Sequence, residues 1–148
     1  MRTRIHHHRN MVGYMTDSIE LTLPYPPSVN HYWRSRIART RGGKSYIQTY
    51  LSAEAKAYKV AVVAVVWETV GVIRLQGELS FEAVLHPPDK RVRDLDNINK
   101  SLWDALKEAK LFLDDSQIKE MHTKFGPPIP GGRAVVRVGV RGEGGLAT

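Results

Sequence analysis

The chain has 148 residues, no cysteine and a formal net charge of +7. That is the size of a single domain able to bury most of its apolar surface without cross-links, and it excludes disulfides, thiol catalysis and cysteine-bound zinc. No apolar run is long enough to span a bilayer, and the first 16 residues lack the apolar segment of a secretory signal, so a cytoplasmic protein without a membrane partner is expected.

The charge is uneven. Residues 1–16 carry Arg2, Arg4 and Arg9 and no acid; without them the chain has 19 basic and 15 acidic residues, a net +4. They also carry His6, His7 and His8 without periodicity, which could bind a metal only weakly. This segment reads as a disordered extension, residues 17–141 as one domain and residues 142–148 as a flexible tail. From Leu21 to Ala53 there is again no acid, but Arg34, Arg36, Arg39, Arg41 and Lys44 are present. A one-signed block on a folded domain points to a polyanion, nucleic acid before membrane; the competing reading is a solvated basic loop.

Ser18 to Leu23 alternates Ile19, Leu21 and Leu23, a strand with one buried face. The prolines of PYPP end it. Arg41-Gly42-Gly43-Lys44 is a turn signal, and its flanks RSRIART and SYIQTY read as the arms of a basic hairpin suited to phosphate contacts and base stacking. Ser52 is placed to cap a helix that runs to Val70 and stops at Gly71. Its valines and Trp67 cover nearly the whole circumference, which predicts burial on one side by a sheet and on the other by a second protomer.

Glu78 to His86 is the next strand, stopped by Pro87-Pro88. A helix follows in which Leu95, Ile98, Leu102, Ala105, Leu106 and Ala109 form the core face, while Asp96, Lys100, Trp103 and Lys107 share another stripe. Ile118 to Phe125 and Ala134 to Val140 complete the strands. The order predicts an α+β fold, one mixed β-sheet with two main helices packed on it.

The chemistry concentrates in RDLDNINK, residues 93–100. Asp94 and Asp96 lie beside Lys90, Arg91 and Arg93, and Lys100 follows Asp96 by one helical turn. Octahedral oxygen coordination of Mg²⁺ takes a few protein carboxylates and completes itself with water and phosphate. Asp114 and Asp115 beyond the helix are further candidates. A calcium EF-hand is excluded, because with Asp94 as its first position the glycine position holds Asn99 and the final glutamate position Ala105. A straight helix of roughly 14–16 residues at ~1.5 Å per residue separates the two acidic pairs by ~20 Å. A second subunit, or a chain that doubles back, is needed to join them. Singly, Asp94 is readable as a helix cap and Asp114-Asp115-Ser116 as a turn; Lys100 on the Asp96 face favours function, since a lysine beside a metal stabilises charge on a phosphodiester.

The segment RDLDNINKSLWDALKEAKLFLDDSQI resembles the RusA family of Holliday-junction resolvases, and LPYPPSVNHYWR resembles the opening signature of the same family. The resemblance implies an intertwined homodimer that uses Mg²⁺, with Mn²⁺ as an alternative, to nick two strands of a four-way DNA junction symmetrically in recombination and repair. Carried over by position, Asp94, Asp96 and Asp115 match the metal-binding acids and Lys100 the essential lysine, with Asp114 a neighbouring acid. Arg93 falls on a DNA-contacting basic residue, to which Lys90, Arg91 and the hairpin cations are added as DNA contacts. The chain departs from the family where Lys110 stands in place of a glycine and where an aromatic pair becomes Leu111-Phe112, leaving Phe112 as the ring expected to contact DNA. A less selective nuclease of flaps and forks, or a non-catalytic nucleic-acid-binding module, are the alternatives.

Overall fold

The computed structural model describes residues 5–9, 15–27 and 33–141, with residues 5–9, 15–17 and 33 described by backbone alone. The elements are β1 (Ile5–Arg9), β2 (Met15–Leu23), β3 (Trp33–Arg39), β4 (Ser45–Leu51), α1 (Ala53–Thr69), β5 (Leu79–His86), α2 (Leu95–Glu108), a 3-10 turn (Asp115–Gln117), β6 (Ile118–Phe125) and β7 (Arg133–Val140). Five strands form one sheet in the order β1-β2-β7-β5-β6, and β3 pairs with β4 as a separate two-stranded ribbon. Within the sheet β5 and β6 are parallel and the other pairs antiparallel, so the expected mixed sheet under two helices is present. Among the described residues, no helix is long and apolar enough to cross a membrane.

The N-terminal segment differs from expectation. Ile5–Arg9 pairs with β2 in a continuous register from Ile5↔Ile19 to Arg9↔Met15. An edge strand needs only backbone hydrogen bonds, which a sequence without apolar alternation can supply. The tail expected over 142–148 lies outside the described residues.

The strands sort their side chains by alternation. Leu21, Leu23, Phe81, Ala83, Leu85, Val136 and Val138 are buried on one face, in a core shared with α1 and α2. α1 starts where Ser52 accepts a hydrogen bond from the Ala55 N–H at 3.1 Å. It buries Ala55, Tyr58, Val62 and Val66 and leaves Val60 70 % exposed on the far side. The Trp67 indole N–H donates to the Ala109 carbonyl at 2.8 Å, tying the end of α1 to the end of α2.

The end of α2 holds Lys110, which stands where the resemblance expects a glycine. Lys110 has φ 61°, the left-handed region in which a Cβ is unfavourable. Its N–H donates to the Lys107 carbonyl at 3.0 Å, and the Leu111 N–H to the Leu106 carbonyl at 3.1 Å. That pair of bonds is the Schellman stop, whose left-handed position glycine fills best. The same stop turns the chain inward, so Leu111 and Phe112 are both 0 % exposed. Phe112, read from the sequence as a DNA-contacting ring, is therefore a core residue; the neighbouring Leu113 is the one left 58 % exposed.

Two outcomes follow in urea melts of the full chain. Phe112→Ala should cost about 3–5 kcal/mol, the range for truncating a fully buried ring. Lys110→Gly should instead stabilise, by about 0.5–1 kcal/mol once the greater freedom of glycine in the unfolded chain is set against relief of the left-handed strain.

Candidate active site

Two sequence motifs distant along the chain meet at the start of α2. Segment 24–27, the PYPP that ends β2, is held from both helices. The Tyr58 hydroxyl of α1 donates to the Pro24 carbonyl at 3.0 Å, and the Ser101 hydroxyl of α2 donates to the Pro27 carbonyl at 2.8 Å. Burial pushes the Tyr58 phenol far above its ordinary range, so it stays a neutral donor. The Tyr25 ring lies 5.7 Å from the Arg93 guanidinium carbon, a cation–π contact. Gly132, at φ 68°, passes so close that an added Cβ would come within 2.8 Å of the Tyr25 Cβ.

The loop before α2 is organised by Asp89. Its carboxylate takes two hydrogen bonds from the Arg91 side chain, at 3.0 and 2.9 Å, one from the Arg91 backbone N–H at 3.0 Å, and lies 2.8 Å from Arg93. The Arg91 hydrogen bonds, more than any other cause, hold the Asp89 carboxyl well below the usual carboxylate range. Arg93 also donates to the Asp89 and Arg91 carbonyls at 3.1 and 3.0 Å and is only 18 % exposed. Expected as a DNA contact, Arg93 is engaged within the protein as the clamp of this loop. Arg91 remains 83 % exposed, and Lys90 is also exposed.

This loop delivers the carboxylates. Asp94 is the N-cap residue of α2 by position, with extended backbone, yet its side chain makes no capping hydrogen bond. The capping role that its place in the sequence invited is not used, and the carboxylate is exposed. Asp96 follows in the first turn and Lys100 one turn later, both exposed on the outer side of α2. Among the described residues neither acid forms an ion pair with Lys100. Asn99, 7 % exposed, sets the rotation of this turn: its amide donates to the Met121 sulfur at 3.4 Å, and its carbonyl accepts from the Thr123 hydroxyl at 3.3 Å.

The second acidic pair is elsewhere. Asp114 caps the 3-10 turn, accepting from the Ser116 N–H at 2.9 Å, and that bond draws its carboxyl below the ordinary range. Gln117 reciprocates by accepting from the Asp114 N–H. Asp114 is thus structural, as a turn reading requires. Asp115 stands at the other end of α2, 3.6 Å from Lys107, which also pairs with Asp104 at 3.5 Å. Because β6 runs parallel to β5, starting at Leu79↔Ile118, Asp115 precedes the first pair of that ladder while Asp94 follows its last. Among the described residues, no three acids or histidines of one protomer gather as a metal site. The doubling back that one sequence reading allowed does not occur.

A cavity of about 650 Å³ opens beside Asp96. It is lined by Asn99 and by the polar row Glu20, Arg137, Glu82 and His122, which lie side by side across β2, β7, β5 and β6. Arg137 joins the row through Glu20 at 3.1 Å and Glu82 at 3.5 Å. Sequence reading missed this row; its signal was the polar half of the strand alternation. The basic hairpin forms as expected, with Arg34, Arg36, Arg39, Arg41 and Lys44 all exposed. Its turn closes through the Gly43 N–H to the Thr40 carbonyl at 3.0 Å, with Gly43 at φ 82°.

Comparison with known proteins accounts for both motifs. Residues 24–141 match the family model described as endodeoxyribonuclease RusA. The chain is 35 % identical over 117 residues, 79 % of this chain and 90 % of the relative, to the crossover junction endodeoxyribonuclease RusA of Escherichia coli strain K12. It is equally similar, over the same length, to that of Enterobacteria phage 82, and 34 % identical over 119 residues to that of Enterobacteria phage HK97, covering 80 % of this chain and 92 % of the phage protein. The chain belongs to the RusA endodeoxyribonuclease family.

Proposed function

We propose that the protein is a metal-dependent endonuclease that resolves four-way DNA junctions by paired nicks, acting as a two-fold dimer in which each site draws on both protomers. The observation that carries this reading is the arrangement around α2. Asp94, Asp96 and Lys100 stand exposed at its start, the Asp94 carboxylate is not used as a cap, and Asp115 stands at its end beside Lys107.

The donor set fits a hard divalent cation, Mg²⁺ or Mn²⁺: three carboxylates, at an open helix start with room for water and phosphate. Asp94 and Asp96 of one protomer and the partner's Asp115 would hold it. When bound, the cation supplies Lewis acidity and neutralises phosphate charge. Lys100 places an ammonium one turn from Asp96, where it stabilises charge that develops on the phosphate oxygens. The Lys107–Asp115 contact is a partly exposed ion pair worth about 0–1 kcal/mol, so Asp115 can leave it at little cost.

A two-fold axis that sets two α2 helices antiparallel brings the start of each beside the end of the other, and the isologous contact creates two identical sites. A four-way junction presents two equivalent strands to such a pair. The exposed α1 stripe of Ala53, Ala57, Val60, Ala64 and Trp67, spaced by threes and fours, is an uncharged surface from which a second copy can be held. Cytosolic branched DNA is the partner, and relatives in two phages suit a gene carried by a prophage.

Wild-type protein should nick a synthetic four-way junction symmetrically in Mg²⁺ and not in chelator. Asp96→Asn should abolish cutting while junction binding persists, and Lys100→Ala should slow cutting by about 10²–10³-fold. Normal cutting by Asp96→Asn would remove the site assignment, and equal rates on junction, flap and duplex would remove junction selectivity. In sedimentation, Val60→Asp should shift the dimer toward monomer; an unchanged dimer would place the protomer contact elsewhere.

A further inference from the structure

The β3–β4 ribbon has two unlike faces. On one, Arg36 lies over the Tyr50 ring at 5.1 Å and donates from Nε to the Gln48 side chain at 2.8 Å, with Arg34 and Tyr46 on the same side by register. On the other, Ile37 and Ile47 are direct cross-strand partners, 77 % and 75 % exposed. They stand between the pairs Ser35↔Thr49 and Arg39↔Ser45. A cross-strand β-branched pair helps fix register, but threonines would do that without presenting two large apolar side chains to water.

The surroundings of this pair say what covers it. The stretch from Leu21 to Ala53 has no acid and five cations, so the arm is complementary to a polyanion, and a second such arm would be repelled. Apolar side chains carried among cations on a β-ribbon have a specific use on nucleic acid: they part base steps while the cations hold the adjoining phosphates. At a branch point stacking is already interrupted, so insertion costs less there than in continuous duplex.

We propose that the Ile37–Ile47 pair inserts against the unstacked bases at the centre of branched DNA, and that this arm supplies the preference for branched over duplex substrate. The proposal rests on the nuclease reading above and deepens it. Arg39, beside the pair, and Arg34 and Arg36, behind it, contribute affinity that does not distinguish the two DNA forms.

The test uses the full chain in chelator, a four-way junction carrying 2-aminopurine at the crossover, and a matched duplex. Wild-type protein should raise the 2-aminopurine fluorescence on the junction. Ile37→Thr with Ile47→Thr keeps β-branched side chains in the strands; it should abolish that rise, weaken junction affinity on the order of tenfold and leave duplex affinity unchanged. Arg36→Gln with Arg39→Gln should weaken both DNA forms alike and flatten the salt dependence by a slope of about 2. A threonine variant with full fluorescence and unchanged junction affinity overturns the proposal, as does one that becomes monomeric in sedimentation, which would make the pair a protomer contact. Wild-type protein that binds junctions in chelator without a fluorescence change, yet cuts them once Mg²⁺ is added, overturns the insertion alone, whereas protein that neither binds them in chelator nor cuts them in Mg²⁺ overturns the nuclease reading and the insertion with it.

Discussion

Parallel pairing of β5 with β6 requires the chain to travel back along the sheet before the second strand can form, and α2 is that return. Everything about the site follows from it. The loop after β5 delivers Asp94 and Asp96 at one end of the sheet, and the 3-10 turn before β6 delivers Asp115 at the other. Eight residues of strand at ~3.3 Å each separate those ends by about 25 Å, and no rotation of a side chain spans such a gap. A protomer of this topology keeps its two acidic groups at opposite ends of α2, so the proposed metal site needs a symmetric partner to join them.

The start of α2 is made rigid by groups that do no chemistry themselves. Asp89 gathers Arg91 and Arg93, Arg93 covers Tyr25, and Tyr58 and Ser101 fix the carbonyls of the proline segment. Asn99 fastens the first turns of the helix to β6. Together they tie the two signature regions of the family into one local structure and leave the Asp94 carboxylate without a capping role. The proline segment matters as the partner that seats the loop.

Much of this was legible in the sequence because it obeys local rules. Alternation located β2, β5 and β7, the Ser52 cap and the Gly71 stop bounded α1, and the Gly42-Gly43 turn announced the basic ribbon. What was not legible depends on the environment of single side chains. Phe112 lies one residue from an exposed leucine and reads as a surface ring until the stop at Lys110 is seen to turn it into the core. Arg93 reads as a free cation because nothing in its spacing says that Asp89 and two carbonyls receive it. Asp114 and Asp115 are adjacent and chemically alike, but one caps a turn and the other does not. The pairing of β1 with β2 was not legible because IHHHR has no apolar alternation to announce a strand.

If each site is shared between protomers, subunit mixing can rebuild one intact site from two inactive chains. Chains carrying Asp96→Asn and Asp115→Asn, bearing different tags, are co-expressed and the heterodimer is isolated through both. Each homodimer should be inactive. In the heterodimer one site combines an intact Asp96 with an intact Asp115 and the other has neither, so it should nick one strand of a four-way junction in Mg²⁺ while failing at paired nicks. A heterodimer as inactive as either homodimer would show that Asp96 and Asp115 serve the same protomer and that the sites are not shared.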